Sequence, residues 1–193
     1  MFGLKFNDPT RRRFDRAALA ERKAVVVAHQ VAQIETDYAL IIGDSIVERV
    51  WMNDLCGLPV VNAGVSGSTL MELEPLLKKI RSLRPARIVI LAAGINSFRR
   101  RKNADLRVWG ADLSSAMQTL GKLDAIVELI ESDSVDIEAV KAANDLIRGE
   151  SKRWGTVVIP AIPPGLTIDG VHPNNEGYVL WTSRLQRACA DKV

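Results

Sequence analysis

Between Ala39 and Ser97 three short apolar runs each stop on a glycine with small polar residues close behind it. Ala39-Leu40-Ile41-Ile42 runs into Gly43-Asp44-Ser45, Leu58 to Ala63 runs into the turn Gly64-Val65-Ser66-Gly67-Ser68-Thr69, and Arg87 to Ala93 runs into Gly94-Ile95-Asn96-Ser97. Runs of this length read as buried strands, and the first two turns feed helical stretches: through Val50 and Trp51 after the first, and Leu70 to Leu83 after the second. The rhythm continues with a helix over Trp109 to Leu120, a strand over Leu123 to Ile130, a helix over Asp136 to Arg153, a strand over Thr156 to Ala161 and a last helix over Val179 to Ala190. Five alternations of strand and helix predict an α/β fold with a parallel sheet between helical layers, in strand order 2-1-3-4-5. Open sheets of this kind bind ligands outside the carboxyl ends of their strands, where these three turns fall.

A chain of 193 residues, 47% hydrophobic, suits one domain with a sizeable core. No apolar run approaches the length of a membrane span, and Met1 to Thr10 lacks a secretory signal, so the expected location is cytoplasmic. Cys56 and Cys189 form no metal-ligand spacing and are expected to be reduced thiols. The net charge is +3, with basic clusters at Arg11-Arg12-Arg13 with Arg16 and at Arg99-Arg100-Arg101-Lys102, and an acidic stretch from Asp124 to Glu150. No signature of a nucleic-acid-binding module accompanies the basic clusters. The second cluster reads as a solvated loop paired with the acidic half, with contact to an anionic substrate as the alternative.

Residues 1–36 precede the first strand and read as a helical extension of a domain spanning 37–193. Ala17, Leu19, Ala24, Val25, Ala28 and Val31 fall on an amphipathic helix from Arg16 to Ile34. Its apolar face, with Phe2, Leu4, Phe6 and Phe14, must pack on the domain or on a second subunit, so a homo-oligomer through this helix is possible. His29 lies here and reads as a surface histidine.

The polar residues behind the strands carry the chemistry. Asp44 or Ser45 alone would read as a helix cap. Ser45 placed at a strand-to-helix turn is also a candidate nucleophile, which needs a neutral imidazole to take its proton and a carboxylate to hold that imidazole. With His29 in the extension, His172 is the candidate base. Asp169, three residues earlier on a loop bounded by Gly170 and Pro173, is the candidate orienter. Three donors are expected to face a developing oxyanion: the amides of Ser45 and Gly67 and the side chain of Asn96.

Gly43-Asp44-Ser45, the Gly67 turn, Gly94-x-Asn96 and Asp169-x-x-His172-Pro173 resemble, in order, the four blocks of the SGNH hydrolases, the GDSL esterase/lipase family. The resemblance runs from about Tyr38 to Ala190. An α/β-hydrolase elbow is excluded because Val47 stands where its second glycine would be. The resemblance implies a flavodoxin-like three-layer sandwich, no metal or other cofactor, Ser45 as nucleophile, His172 as base, Asp169 as its orienter, and Gly67 and Asn96 beside the Ser45 amide in an oxyanion hole. Family members often carry an acidic residue after the second-block glycine and the third-block asparagine, where this chain has Ser68 and Ser97. The implied activity is ester hydrolysis. Short loops without an apolar lid point to a small acyl group, as on an O-acetylated carbohydrate or another small-molecule ester. Lysophospholipase, thioesterase or acyltransferase activity, or a non-catalytic binding module on the same fold, are the alternatives.

Overall fold

The structure, a computed structural model, describes residues 9–100 and 104–189. Helix α1 (Pro9–Gln33) leads into β1 (Ala39–Gly43), α2 (Ser45–Arg49), β2 (Asp54–Leu55) and β3 (Leu58–Gly64). A 3-10 turn and α3 (Glu74–Arg81) follow, then β4 (Ile88–Ala92), α4 (Asn96–Arg100) and α5 (Leu106–Leu120). The chain ends with β5 (Ala125–Val127), α6 (Ile137–Trp154), β6 (Val157–Ile159) and α7 (Asn175–Cys189). The sheet runs β2-β3-β1-β4-β5-β6. Five strands are parallel in the expected order 2-1-3-4-5, and β2 adds a short antiparallel edge to β3.

Every residue of β1 and of β4 is buried, as expected for strands covered on both faces. Alternate side chains serve two cores. Leu40, Ile42, Val61, Val89 and Leu91 pack with α1, α3, α5 and α6, whereas Ala39, Ile41, Ile88 and Ile90 pack with Val47 of α2 and with Trp181 and Leu185 of α7. The register is level across the centre. Gly43 pairs with Gly64 on one side and Ala92 on the other, so the turns after β1, β3 and β4 emerge together on one edge.

Helix α1 starts earlier than its periodicity suggested, at Pro9. Ala20, Ala24, Val27 and Val31 recur at helical spacing, and all four are buried in the same core as Leu40 and Ile42. Arg84 then ties the end of this segment to the domain, donating to the carbonyls of Ile34 (2.7 Å) and Thr36 (2.9 Å) and lying over the Tyr38 ring. His29 is exposed. Phe2, Leu4, Phe6, Arg101 and Lys102 lie outside the described residues, as do the side chains of Arg11, Arg12, Arg13, Phe14 and Arg100.

The cysteines correct an expectation. Cys56 and Cys189 are joined in a disulfide across 133 residues of sequence. Cys56, with φ 52°, sits in the turn of the β2–β3 hairpin, and Cys189 is the last residue of α7. The edge hairpin lies against the end of that helix, where the Cys56 amide donates to the side-chain oxygen of Gln186 at 2.8 Å. Spacing along the chain carries no trace of a contact that only this packing creates. Among the described residues no helix is long and apolar enough to cross a membrane, and no three His, Cys, Asp or Glu side chains could hold a metal ion.

Candidate active site

The turn after β1 is tightly built. A Cβ on Gly43 would overlap the Ala92 carbonyl and the Val47 side chain, so only glycine fits between β4 and α2. Asp44 then caps α2, accepting from the Ile46 amide at 3.0 Å, and Ser45 becomes the first helical residue. The cap and the candidate nucleophile are adjacent residues of one turn, so the Asp44 cap leaves Ser45 available for the other reading. The far end of α2 is gripped by Asn62 of β3, which donates to the carbonyls of Val47 (2.7 Å) and Val50 (3.3 Å). Tyr178 of α7 donates to the Ile46 carbonyl at 3.1 Å.

The loop before α7 brings the imidazole to the serine. His172 Nε2 lies 2.8 Å from Ser45 Oγ, and Nδ1 lies 2.8 Å from Asp169 Oδ2. With the proton on Nδ1, the ring donates to Asp169 and accepts from Ser45. Asp169 Oδ1 also accepts from the backbone amides of His172 (2.8 Å) and Val171 (3.1 Å). Several contacts brace this loop: the Ile168 amide to the His172 carbonyl, the Gly170 amide to Thr167 Oγ1, and Ser134 Oγ to the Asp169 carbonyl.

Gly67 and Asn96 reach the same place from the other two turns. Gly67 has φ 68°, a left-handed conformation suited to glycine. Asn96 is buried and donates through Nδ2 to the Ser68 carbonyl at 3.0 Å, which fixes the amide and leaves its second N–H. Ser68 itself is fully buried and donates to the Val65 carbonyl at 2.8 Å, so its hydroxyl braces the turn.

Ser45, Gly67, Asn96 and His172 line one open groove of about 410 Å³. Three arginines line it with them: Arg16 of α1, Arg49 at the end of α2 and Arg99 of α4. Arg16 Nη1 donates to the Ser66 carbonyl at 2.8 Å, and its guanidinium lies against Gly67 so closely that a Cβ there would overlap it. Arg99 Nη2 approaches Asp169 Oδ2 at 3.3 Å, so it pairs with the second half of the chain and faces the groove as well. The sequence marks Arg16 only as part of a basic cluster and gives no sign of Arg49, because both lie on elements assigned to packing. Asn62 escaped it because it sits inside an apolar run.

Burial opposes the charge on Asp169, yet the His172 amide, the His172 ring and the Val171 amide outweigh it and hold the carboxyl well below the usual range. Asp44 behaves oppositely. Full burial beside Ile46, Ala93, Ile95 and Val127 pushes its carboxyl up to about 6, against the amides of Ile46 and Gly94 and the charge of Arg99.

No protein-family profile matches the sequence, and no curated protein matches it either. Solved structures do. A GDSL-like lipase from Bacteroides thetaiotaomicron superposes with a TM-score of 0.69 at 17% identity, covering 92% of this chain and 100% of that one. A lipase/acylhydrolase from Enterococcus faecalis gives 0.66 at 19% identity, with 81% and 96% covered. An acetylxylan esterase from Geobacillus stearothermophilus gives 0.65 at 17% identity, with 79% and 93% covered. The parallel order, the level turns and these superpositions establish that the chain has the fold of the GDSL-like lipases and acylhydrolases, the SGNH hydrolase fold.

Proposed function

We propose that the chain is a serine esterase acting on small acyl esters, with Ser45 as nucleophile, His172 as general base and Asp169 as its orienter. The observation that carries this reading is the continuous relay from Ser45 Oγ to His172 Nε2 and from His172 Nδ1 to Asp169, each step 2.8 Å long. As Ser45 Oγ bonds to the ester carbonyl carbon, its proton passes to His172 Nε2, and the carbonyl π electrons move onto oxygen. The Ser45 and Gly67 amides and Asn96 Nδ2 stabilise that oxyanion. On collapse the C–O bond to the alcohol breaks, and the alkoxide leaves with the proton from Nε2. Water then repeats the sequence on the acyl-serine, giving the carboxylic acid and free Ser45.

Asp169 is ionised throughout the physiological range, so the imidazolium formed in each half-reaction has a negative partner. The groove is small and lined largely by polar groups, which supports a short acyl chain over a long one. The likeness to an acetylxylan esterase supports an acetylated carbohydrate as one such substrate.

The test is a series of para-nitrophenyl esters of rising chain length, run beside labelling with a fluorophosphonate probe. Turnover greatest at acetate, with the label on Ser45, is expected. A folded protein that is silent across the series and unlabelled overturns the esterase in favour of a binding module. A rate that climbs with chain length overturns the small-acyl assignment.

A further inference from the structure

The groove at Ser45 has an unbalanced charge. Three guanidinium groups, those of Arg16, Arg49 and Arg99, line it, and among the described residues no carboxylate does. Among the described residues, Asp169 accepts from His172 and Arg99, and Asp44 is buried beneath the turn. The three cations come from three separate elements, α1, α2 and α4, and converge only through the fold. Arg16 is held in place by the Ser66 carbonyl, and among the described residues Arg49 forms no ion pair. Guanidinium groups present planar forks that match carboxylate and phosphate oxygens, and a cleft lined by one sign of charge concentrates ligands of the other. An uncharged ester would offer these forks no oxygen of opposite charge.

We propose that the substrate is an ester carrying an anionic group, a carboxylate or a phosphate, close to the scissile bond, and that Arg16, Arg49 and Arg99 hold that group while Ser45 attacks. This rests on the esterase reading above and adds the substrate's charge to it. A groove of about 410 Å³ is at the small end for ligand sites, so the anion must lie within a few bonds of the ester. Arg99 also contacts Asp169, so a substrate anion at Arg99 would compete with the triad carboxylate for one guanidinium. Arg16 and Arg49 are therefore the clean residues to test.

The experiment compares four acetate esters by acetate release: 4-acetoxybutanoate, 3-acetoxypropyl phosphate, the neutral 4-acetoxybutanamide and the cationic acetylcholine. At low salt the anionic esters should exceed the amide in kcat/KM by about tenfold or more, in line with hydrogen bonds to charged groups, with acetylcholine the poorest. The better of the two anionic esters identifies the group as carboxylate or phosphate. In Arg16→Gln combined with Arg49→Gln the anionic-to-neutral ratio should fall towards one. Equal kcat/KM for anionic and neutral esters in the unaltered protein overturns the proposal and leaves the esterase standing.

Titration calorimetry with the products 4-hydroxybutanoate and 3-hydroxypropyl phosphate reads the same contacts without chemistry. Binding at least several-fold weaker in the double variant is expected. Binding that the double variant leaves unaltered overturns the anion site. If no ester is turned over and the products still bind in this arginine-dependent way, the esterase reading fails and the groove is an anion-binding site.

Discussion

Asp169 holds His172 twice, accepting from its ring at Oδ2 and from its backbone amide at Oδ1, both at 2.8 Å. One carboxylate thereby fixes both the position of the residue and the tautomer of its imidazole. Asp169→Asn should keep the fold and lower kcat by roughly 10³ to 10⁴, because the amide no longer selects the proton on Nδ1. The depressed carboxyl sets the sign of a second effect. Asp169 contributes stability above the ordinary carboxylate range that is lost as pH falls through its lower folded value. Relative to the asparagine variant, acid unfolding of the unaltered protein should show this extra loss only at strongly acidic pH.

Ser45 and His172 are expected to act as a unit. Ser45→Ala and His172→Ala should each lower kcat by roughly 10⁴ to 10⁶, and the double variant should be scarcely worse. Single-turnover assays on all three measure this. Retention of more than about a tenth of the rate by His172→Ala would remove it from the role of base.

Asn96→Ala removes a donor that matters once charge develops, so kcat should fall by roughly 10² to 10³ with little change in KM. Because Asn96 also binds the Ser68 carbonyl, the melting temperature must be read alongside. A change in KM alone would place the side chain in ground-state binding.

Asp44 predicts a slope of the opposite sense. Its folded carboxyl, pushed up to about 6, binds a proton more tightly than the unfolded chain does, so stability falls as pH rises from about 4 through 6. A shift of about two units corresponds to roughly 3 kcal/mol. Asp44→Asn retains the acceptor for the Ile46 amide and should flatten denaturant stability over that window by a sizeable part of this amount.

Val27 of α1 is fully buried against the sheet. Val27→Ala should cost about 2 kcal/mol, a melting shift of roughly 4 to 8 °C, and beginning the chain at Thr36 should cost far more. Equal melting temperatures by calorimetry would mean that the helix does not share the core.

What was legible in the sequence was local. Gly43 and Gly64 end β1 and β3 where backbone or side chain fills the space a Cβ needs, Gly94 follows β4 by two residues against Trp109, and that signal survives in the sequence as an apolar run stopped by glycine. Ser45, Gly67, Asn96, Asp169 and His172 could be named because each sits beside such a stop or on one short loop; Ser45, Gly67, Asn96 and His172 line one groove, and Asp169 lies behind the His172 ring. What escaped were contacts between distant segments. Arg16 reaches Ser66 across 50 residues, Cys56 meets Cys189 across 133, and neither distance leaves a periodicity. The β2 edge strand is two residues long, too short for any pattern to show.

The bridge between Cys56 and Cys189 also divides the molecule mechanically. It closes a ring that contains Gly67, Asn96, Asp169 and His172, while Ser45 and Arg16 lie on the open tail before it. A force applied to the two chain ends reaches only the tails as long as the bond is intact, for a maximum extension of roughly 200 Å, against roughly 650 Å for the reduced chain. Under tension β1 would be drawn out from between β3 and β4, carrying the serine away from an imidazole that stays inside the ring. Load on the amino terminus would thus disable the relay while most of the sheet remained tied.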